Sequence, residues 1–388
     1  MTGGSQRPEG IGGGPRAGAH TIRVVAGDGR DDYDVVIADG LLGRLGELVA
    51  GFAPPSGTVA LIADANVGEI YGQAALQALN GVGARQRLHT FPAGEASKSR
   101  HTWADLTDTL LGEGCGRDTL VVALGGGVTG DLAGFVAATF LRGVPVVQVP
   151  TSLVAMIDAS VGGKTGVDVP TGKNLVGAFH PPARVVVDPE CLETLPRLER
   201  SQGLAEAVKH GAILDVDYLD GLHERAGDLL AGRADASAWA VRRSVEIKAG
   251  VVSRDERESG LREILNFGHT IGHAVEAESE FEIPHGDAVA IGMALEARFG
   301  EASGITAPGT ADRLVRILEA MELPTALPGA LDPSRVLDRT RGDKKVRGGR
   351  VRFVLLAGLG RVHDTGGWAR EVSGDILVEV LGSEPRKD

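Results

Sequence analysis

Apolar residues follow two different rhythms along the chain. In the first half, short apolar runs alternate with segments of helical periodicity. The predicted strands are Tyr33–Ile37, Val59–Ala63, Leu120–Leu124, Val144–Val149 and Arg184–Val187. The predicted helices are Gly68–Leu79, Ser99–Glu113, Asp131–Phe140 and Ser152–Ser160. Apolar strands that alternate with helices are typical of a mostly parallel sheet covered by helices.

Helical periodicity is nearly continuous from Glu199 to about Met321, and a short β-like segment, Arg350–Leu356, follows it. The pattern therefore predicts two domains: an α/β N-terminal domain over residues 21–194 and an all-α C-terminal domain over residues 195–388. Residues 1–20 are rich in glycine and almost free of apolar side chains, so we expect a disordered tail there. The helices predicted for the second half are Gln202–Leu214, Ala236–Arg254, Gly268–Ala277 and Asp287–Gly300.

Composition narrows the class of protein. The net charge of -12 disfavours nonspecific binding to nucleic acid or anionic membranes, and an aromatic content of 4% disfavours a surface for base stacking. The sequence contains no apolar run of about 18 residues, which a membrane-spanning helix needs. The two cysteines, Cys115 and Cys191, lie far apart and indicate neither a disulfide framework nor a thiolate metal site. We expect a cytoplasmic protein.

A glycine loop lies between a predicted strand and a predicted helix in Leu120–Phe135, LVVALGGGVTGDLAGF. Gly125, Gly127 and Gly130 fit the pattern G-x-G-x-x-G, which brings backbone amides close to a phosphate at a helix N-terminus. The acid expected about 20 residues later is missing, but Asp64 ends an earlier strand. The pattern favours a Rossmann-like nucleotide-binding sheet with a non-standard strand order. A tight glycine turn without a ligand is the alternative.

Two Gly-Lys pairs lie in a second glycine-rich segment, Val161–Phe179, at Lys164 and Lys173. Ammonium groups among exposed backbone amides suit phosphate or carboxylate oxygens. The segment is not a Walker A loop, because Asp158 stands where that motif needs its first glycine. A solvated basic loop is the alternative interpretation.

The helical half contains candidate metal ligands. His269 and His273 are four residues apart and share one helix face. Glu206, His269 and His285 would supply two imidazoles and a carboxylate and leave positions open for a substrate, as a catalytic zinc site requires. Ordinary packed or surface histidines are the alternative.

Cations accompany these candidates and favour an anionic substrate, although a solvated charged helix face would show the same pattern. A later basic pair also suits a surface turn. The polar residues in question are Lys209, Lys248, Glu258, Arg262, Asn266, Lys344 and Lys345.

Seven segments occur in order and together resemble the 3-dehydroquinate synthases, a family of sugar phosphate cyclases. They are GGGVTGDLAGF, RGVPVVQVPTSL, DASVGGKTG, GKNLVGAF, GLAEAVKHG, GLREILNFGHTIGHA and HGDAVAIGM. The resemblance implies an NAD-binding α/β domain, a helical metal- and substrate-binding domain, an active site in the cleft between them, and a homodimer. It departs from the family at Ser152, usually threonine, and at Ala93, often an acid.

The resemblance also implies the site residues. It assigns one zinc or cobalt ion to Glu206, His269 and His285. The candidate cofactor-binding residues are Asp64, Asn66, Gly94, Glu95, Lys98, Gly127, Val128, Thr129, Gly130, Asp131, Thr151, Ser152, Lys164, Lys173, Cys191, Leu192, Glu193 and Thr194. The candidate catalytic residues are Arg142, Asp158, Lys164, Asn174, Lys209, Lys248, Glu258, Arg262, Asn266, His273, Lys344 and Lys345.

The implied substrate is a phosphorylated sugar acid, 3-deoxy-D-arabino-heptulosonate 7-phosphate, and the implied reaction is a ring closure with loss of phosphate. Three other functions stay open at this point. They are a related cyclase that makes an amino-dehydroquinate or valiolone-type ring, a metal-dependent polyol dehydrogenase of the glycerol-dehydrogenase type, and a noncatalytic binding module.

Overall fold

The chain divides into two compact units, each described here by itself. The computed structural model describes residues 19–25, 29, 31–83, 85–341 and 351–383. The sheet unit consists of Met1–Val24, Asp31–Thr151 and Gly162–Glu190, and the helical unit consists of Val25–Arg30, Ser152–Val161 and Cys191–Asp388. The division by packing thus uses several chain segments for each unit. The predicted boundary between residues 194 and 195 stays a prediction.

The sheet unit has a mixed sheet of seven strands among its described residues, in the order β1-β2-β9-β6-β5-β3-β4. Only the β1–β2 pair is antiparallel within this sheet. The strands of the unit are β1 (His20–Val24), β2 (Tyr33–Ile37), β3 (Thr58–Asp64), β4 (Arg85–Phe91), β5 (Leu120–Gly125), β6 (Val146–Pro150), β7 (Lys164–Val169), β8 (Gly172–Phe179) and β9 (Arg184–Val187). Its helices are α1 (Leu45–Val49), α2 (Ala65–Ala78), α3 (Arg100–Gly112) and α4 (Gly127–Thr139).

The strand order reverses between β3 and β5. From β3 the chain moves outward to β4, and it then returns to the other side of β3 to form β5, β6 and β9. In open α/β sheets, ligands bind at the carboxyl ends of the strands beside such a reversal. The prediction of a mostly parallel nucleotide-binding type of sheet is confirmed, and the order differs from the standard Rossmann order as expected.

Three parts of the sheet unit differ from the sequence prediction. Strand β1 was not predicted, and it begins at His20, the last residue of the predicted tail. Strand β4 was not predicted, because Arg85, Arg87 and His89 make this edge strand too polar to stand out. The predicted glycine-rich loop over Val161–Phe179 is wrong, since β7 and β8 form an antiparallel hairpin there. The hairpin requires glycine at position 177, because a Cβ there would collide with the carbonyl of Thr165 on the opposite strand.

The helical unit carries most of its residues in α-helices, with two small antiparallel ribbons added late in the chain. None of the helices within the described residues is long and apolar enough to cross a membrane. The helices are α5 (Arg197–Leu214), α6 (Val216–Glu224), α7 (Ala226–Leu230), α8 (Ala234–Val252), α9 (His269–Glu278), α10 (His285–Ala302), α11 (Thr310–Ala320), α12 (Pro333–Arg341) and α13 (Gly374–Ser383). The ribbon strands are β10 (Arg352–Phe353), β11 (Leu356–Gly358), β12 (Arg361–Val362) and β13 (Arg370–Glu371).

Helices α5, α9 and α10 pack closely in the middle of this unit. Gly286, in the first turn of α10, lies against α5 so tightly that an added Cβ would collide with the carbonyl of Gln202. The fully buried carboxylate of Glu296 on α10 accepts hydrogen bonds from the amides of Gly268 at 2.8 Å and Ile271 at 3.2 Å. Glu296 therefore holds the N-terminus of α9, whose first amides have no partners within the helix.

Replacing Glu296 with alanine should destabilise the protein by about 3 kcal/mol, because two buried amides lose their acceptor. The measurement is denaturant unfolding of the metal-free protein. Glu301→Ala is the control on the same helix, since among the described residues its carboxylate accepts one bond, from the Ala311 amide at 2.8 Å. The control should lose about 1 kcal/mol. A Glu296 variant within about 0.5 kcal/mol of wild type would show that this carboxylate does not hold the helix.

Candidate active site

Glu206 on α5, His269 on α9 and His285 on α10 converge in the helical unit. One ligand atom from each lies within 4.8 Å of the others. Glu206 Oε1 is 3.5 Å from His269 Nε2 and 3.4 Å from His285 Nε2. The structure therefore brings together the three residues that the sequence predicted as metal ligands.

The second nitrogen of each imidazole is bound to an oxygen. His269 Nδ1 lies 3.1 Å from the Phe267 carbonyl, and His285 Nδ1 lies 3.2 Å from Glu276 Oε2. This leaves both Nε2 atoms aimed at Glu206. Ligating histidines in metal sites show this arrangement, with one nitrogen on the metal and the other on a carbonyl or carboxylate.

Glu206 itself has the properties of a metal ligand. Its two carboxylate oxygens are buried and accept no hydrogen bond of ordinary geometry from the described residues. A buried anion in that state needs a cation. Lys209 supplies one charge beside it, in an ion pair across one helical turn. The donor set of one carboxylate and two imidazoles fits a divalent zinc-type ion.

Burial and the neighbouring charge of Lys209 together set the protonation states of Glu206 and His269. Burial raises the pKa of Glu206, but the charge of Lys209 beside it holds the pKa well below its usual range. Burial, with the Lys209 charge, lowers the pKa of His269 to about 3. His269 is thus neutral at neutral pH, and its Nε2 lone pair is available to a metal.

A second polar cluster in the helical unit surrounds Asp158. Lys248 Nζ donates to the Asp158 carbonyl and to Asp158 Oδ1, both at 2.6 Å. Burial raises the pKa of Asp158, but Lys248 and Lys209 hold it well below its usual range. Burial lowers the pKa of Lys248 to about 8 despite this partner. The structure thus links three predicted catalytic residues, Asp158, Lys209 and Lys248, through charge.

The remaining candidates of the helical unit lie between α8 and α9 or on α9. Arg262 is buried, and Asn266 Nδ2 donates to Glu258 Oε1 at 2.8 Å. The His273 ring centroid is 5.4 Å from that of His269, on the exposed side of α9. His273 therefore lies beside the candidate metal ligands, but it is not part of the group formed by Glu206, His269 and His285.

In the sheet unit, Asp64 and the glycine loop meet where the strand order reverses. Asp64 Oδ1 accepts from the amides of Asn66 and Val67 at the start of α2, and Oδ2 accepts from Thr129 Oγ1 at 3.3 Å. Thr129 packs so closely against Gly125 that no side chain would fit there. The two predicted parts of a nucleotide site are therefore in contact.

Lys98, whose side chain is buried, is the centre of a charge cluster in the same unit. Its Nζ lies 2.8 Å from Glu95, 3.4 Å from Asp131 and 3.8 Å from Asp168. Burial raises the pKa of Asp131 to about 6, against the effect of Lys98. Lys173 joins at 3.8 Å from Glu95. Four predicted cofactor residues are thus brought together.

The other predicted residues lie at the edge of the Lys98 cluster, elsewhere in the two units, or outside the described part of the chain. Asn174 has a left-handed backbone with φ 53° and donates its amide to Asp168 Oδ1 at 2.8 Å. Lys164 is exposed at the start of β7, and Arg142 ends a short 3₁₀ turn. Ser152 and Cys191–Thr194 belong to the helical unit. Lys344 and Lys345 lie outside the described residues.

Sequence reasoning missed Glu276, Glu296 and Asp168. The carboxylate of each contacts a residue at least nine positions away in the sequence, so no local motif marks it. A signal existed for Glu276 and Glu296, because an ionisable side chain on the apolar face of a helix needs a buried partner.

Comparisons with known proteins find matches over most of the chain. Residues 88–202 match the model of the 3-dehydroquinate synthase N-terminal domain, and residues 203–346 match that of the C-terminal domain. The 3-dehydroquinate synthase of Symbiobacterium thermophilum is 48% identical over 335 residues, which cover 86% of this chain and 94% of that protein.

Two solved structures share the whole fold. A 2-deoxy-scyllo-inosose synthase complexed with carbaglucose-6-phosphate, NAD+ and Co2+ has a TM-score of 0.85 at 25% identity, covering 93% of this chain and 99% of that one. The 2-epi-5-epi-valiolone synthase of Streptomyces hygroscopicus subsp. jinggangensis, with NAD+ and Zn2+ bound, has a TM-score of 0.82 at 28% identity, covering 90% and 96%.

The fold shared with these synthases defines the class, that of the sugar phosphate cyclases. Within this class, the sequence matches are decisive. The chain belongs to the 3-dehydroquinate synthase family, which is a family of enzymes.

Glu276→Ala should weaken zinc binding by about 10- to 100-fold, because His285 loses the acceptor that orients its ring. Glu276→Gln, which keeps an oxygen for Nδ1, should lose less. Affinity is measured by competition with a chromogenic chelator. The control is Glu278→Ala on the same helix, whose carboxylate binds Arg335 at 2.7 Å and Arg339 at 3.1 Å. Equal zinc affinity in the Glu276 and Glu278 variants would contradict the orienting role.

Proposed function

We propose that this chain is a phosphate-eliminating lyase that converts 3-deoxy-D-arabino-heptulosonate 7-phosphate into 3-dehydroquinate and phosphate, a step of the shikimate pathway. The observation that carries the proposal is the convergence of Glu206, His269 and His285 next to Lys209 in a chain of this family. The net reaction breaks a carbon–oxygen bond, closes a carbocycle and leaves no net redox change.

The proposed cofactors are NAD and one divalent ion, zinc or cobalt. The solved cyclases carry NAD+ with Co2+ or Zn2+, and the donor geometry of Glu206, His269 and His285 suits such an ion. When bound, the ion supplies Lewis acidity towards the substrate hydroxyls and NAD supplies a reversible hydride acceptor. Asp64 and Gly127–Asp131, at the reversal of the strand order, are the residues that would hold NAD.

The helical unit contributes positive charge and proton transfer. Arg262 has the planar fork that grips a carboxylate with two bonds, which suits the acid group of the substrate. Lys209 stays charged, because Glu206 and Asp158 raise its pKa against the effect of burial. His273 lies beside His269 on the exposed face of α9, where an imidazole is suited to relay a proton of a substrate hydroxyl.

The sheet unit contributes the candidate phosphate ligands. Lys164 at the start of β7 and Asn174 on β8 are proposed to hold the leaving phosphate. A phosphate group held in this way can itself accept the proton that leaves carbon C6 of the substrate while the bond between carbon and phosphate oxygen breaks. Lys344 and Lys345 are proposed for the same group from sequence alone. The homodimer and the cytoplasmic location stay predictions.

Incubation with the heptulosonate phosphate and NAD tests the function. We expect phosphate release that stops with a chelator and returns with Zn2+ or Co2+, 3-dehydroquinate as the product, and no lasting rise in absorbance at the NADH band. Glu206→Ala should lose activity by at least about 1,000-fold, because the metal loses its only carboxylate ligand. The control is Glu322→Ala, which removes an exposed partner of Arg197.

Two results would contradict this function. Steady accumulation of NADH with glycerol would indicate a polyol dehydrogenase. Phosphate release from other sugar phosphates, with none from the heptulosonate, would indicate a different cyclase.

A further inference from the structure

Asp255 organises the turn that follows α8, although no sequence motif singled it out. Its Oδ1 accepts from the Ser259 amide at 2.9 Å and the Ser259 hydroxyl at 3.0 Å. Its Oδ2 accepts from the amides of Gly260 at 2.8 Å and Arg262 at 2.9 Å. One buried carboxylate thus binds four donors within seven residues, so it fixes the path of this segment.

The protonation state of Asp255 agrees with that role. Burial raises its pKa, but the hydrogen bonds from Arg262, Ser259 and Gly260 outweigh burial and bring the pKa to about 2. The carboxylate therefore stays ionised through the neutral range. Ionised acceptors form the stronger hydrogen bonds with backbone amides.

The turn holds a residue in an unfavourable backbone conformation. Glu258 has φ 57°, in the left-handed region that side chains with a Cβ rarely adopt. Such a conformation persists where surrounding contacts over-determine it, and it is concentrated at functional sites. The four bonds join Asp255 to residues 259, 260 and 262, so they constrain the chain on both sides of Glu258.

The turn also fixes the side chains of two candidate catalytic residues. Asp255 binds the Arg262 amide, and the Arg262 guanidinium donates to the Glu256 carbonyl at the other end of the turn. Glu258 Oε1 accepts from Asn266 at 2.8 Å. Arg262 and Glu258 therefore depend on the shape of the turn for their position.

Arg262 and Asn266 lie in the short 3₁₀ turn Leu261–Asn266 that follows. This turn packs against α5, which carries Lys209, and against α8, which carries Lys248. The segment that Asp255 shapes therefore lies against both helices that carry the lysine pair.

We infer that Asp255 is a positioning residue for the proposed reaction: it holds the turn of residues 255–262 so that Arg262, and Glu258 through Asn266, keep their positions against the helices α5 and α8 that carry Lys209 and Lys248. Asp255 acts through Arg262 and touches no substrate. The inference rests on the proposed function, since Arg262 is assigned there to the substrate carboxylate.

A double-mutant cycle tests this role. Asp255→Asn replaces one acceptor oxygen with a donor that opposes the backbone amides, and it should lower kcat/KM for phosphate release by about tenfold. In an Arg262→Ala background, the same change should have almost no further effect. Zinc affinity should stay within about twofold of wild type, because the metal ligands are untouched.

Asp215→Asn is the matched control. Asp215 caps α6 by accepting from the Tyr218 amide at 2.9 Å, and it pairs with Arg243; neither of these partners is a candidate site residue. This variant should keep kcat/KM within about twofold of wild type.

Unchanged kcat/KM in Asp255→Asn, or full additivity with Arg262→Ala, would overturn the inference. If Asp255→Asn does not fold, Ser259→Ala takes its place in the cycle, with an expected loss of about threefold that disappears in the Arg262→Ala background.

Hydrogen exchange separates this inference from the proposed function. In Asp255→Asn, the amides of Ser259, Gly260 and Arg262 should exchange at least about tenfold faster than in wild type. If wild type releases no phosphate, the proposed function fails, and unchanged exchange at these amides would overturn the positioning role independently.

Discussion

A buried negative charge is the constraint on which the helical unit depends. Glu206 is enclosed on α5 without hydrogen bonds of ordinary geometry among the described residues, so its charge requires cations nearby. Lys209 provides one, and the imidazoles of His269 and His285 face the same carboxylate. Three helices must therefore meet closely, which explains the glycine contact between α5 and α10 and the acidic cap that Glu296 provides for α9.

A second layer of acids makes this arrangement specific. Glu276 orients His285, Glu296 fixes the helix that carries His269, and Asp255 shapes the turn that carries Arg262. None of these three acids belongs to the predicted set of metal ligands. Each binds a group that does the chemistry or the backbone that positions it, which is how sites keep their geometry to within about 0.5 Å.

Much of the fold could be predicted from the sequence. The apolar runs of β3 and β5 and the helical rhythm after Glu199 predicted the two kinds of architecture, because burial on both sides leaves a clear pattern. The hairpin β7–β8 could not be predicted from its glycines, since they serve close strand approach there rather than a loop. Strand β4 could not be predicted either, because its polar residues at the edge of the sheet leave no apolar run.

The candidate site was predictable to a similar extent. Residue types and the family resemblance selected Glu206, His269 and His285, and the structure brings them together. Spacing alone could not separate His269 from His273, which share a helix face, and only the position of Glu206 distinguishes them. The burial of Glu276 on a helix was a signal that it has a partner, but the partner itself could not be predicted, and the role of Asp255 consists of contacts across a turn that no motif marks. The catalytic roles of the individual residues stay predictions.

X-ray absorption of the zinc-loaded protein tests the central claim most directly. The account predicts nitrogen and oxygen ligands at about 2.0–2.2 Å, with the scattering pattern of two imidazoles that falls to one in His285→Ala. Sulfur at about 2.3 Å, or an imidazole signal unchanged by that substitution, would contradict the assignment of the metal to Glu206, His269 and His285.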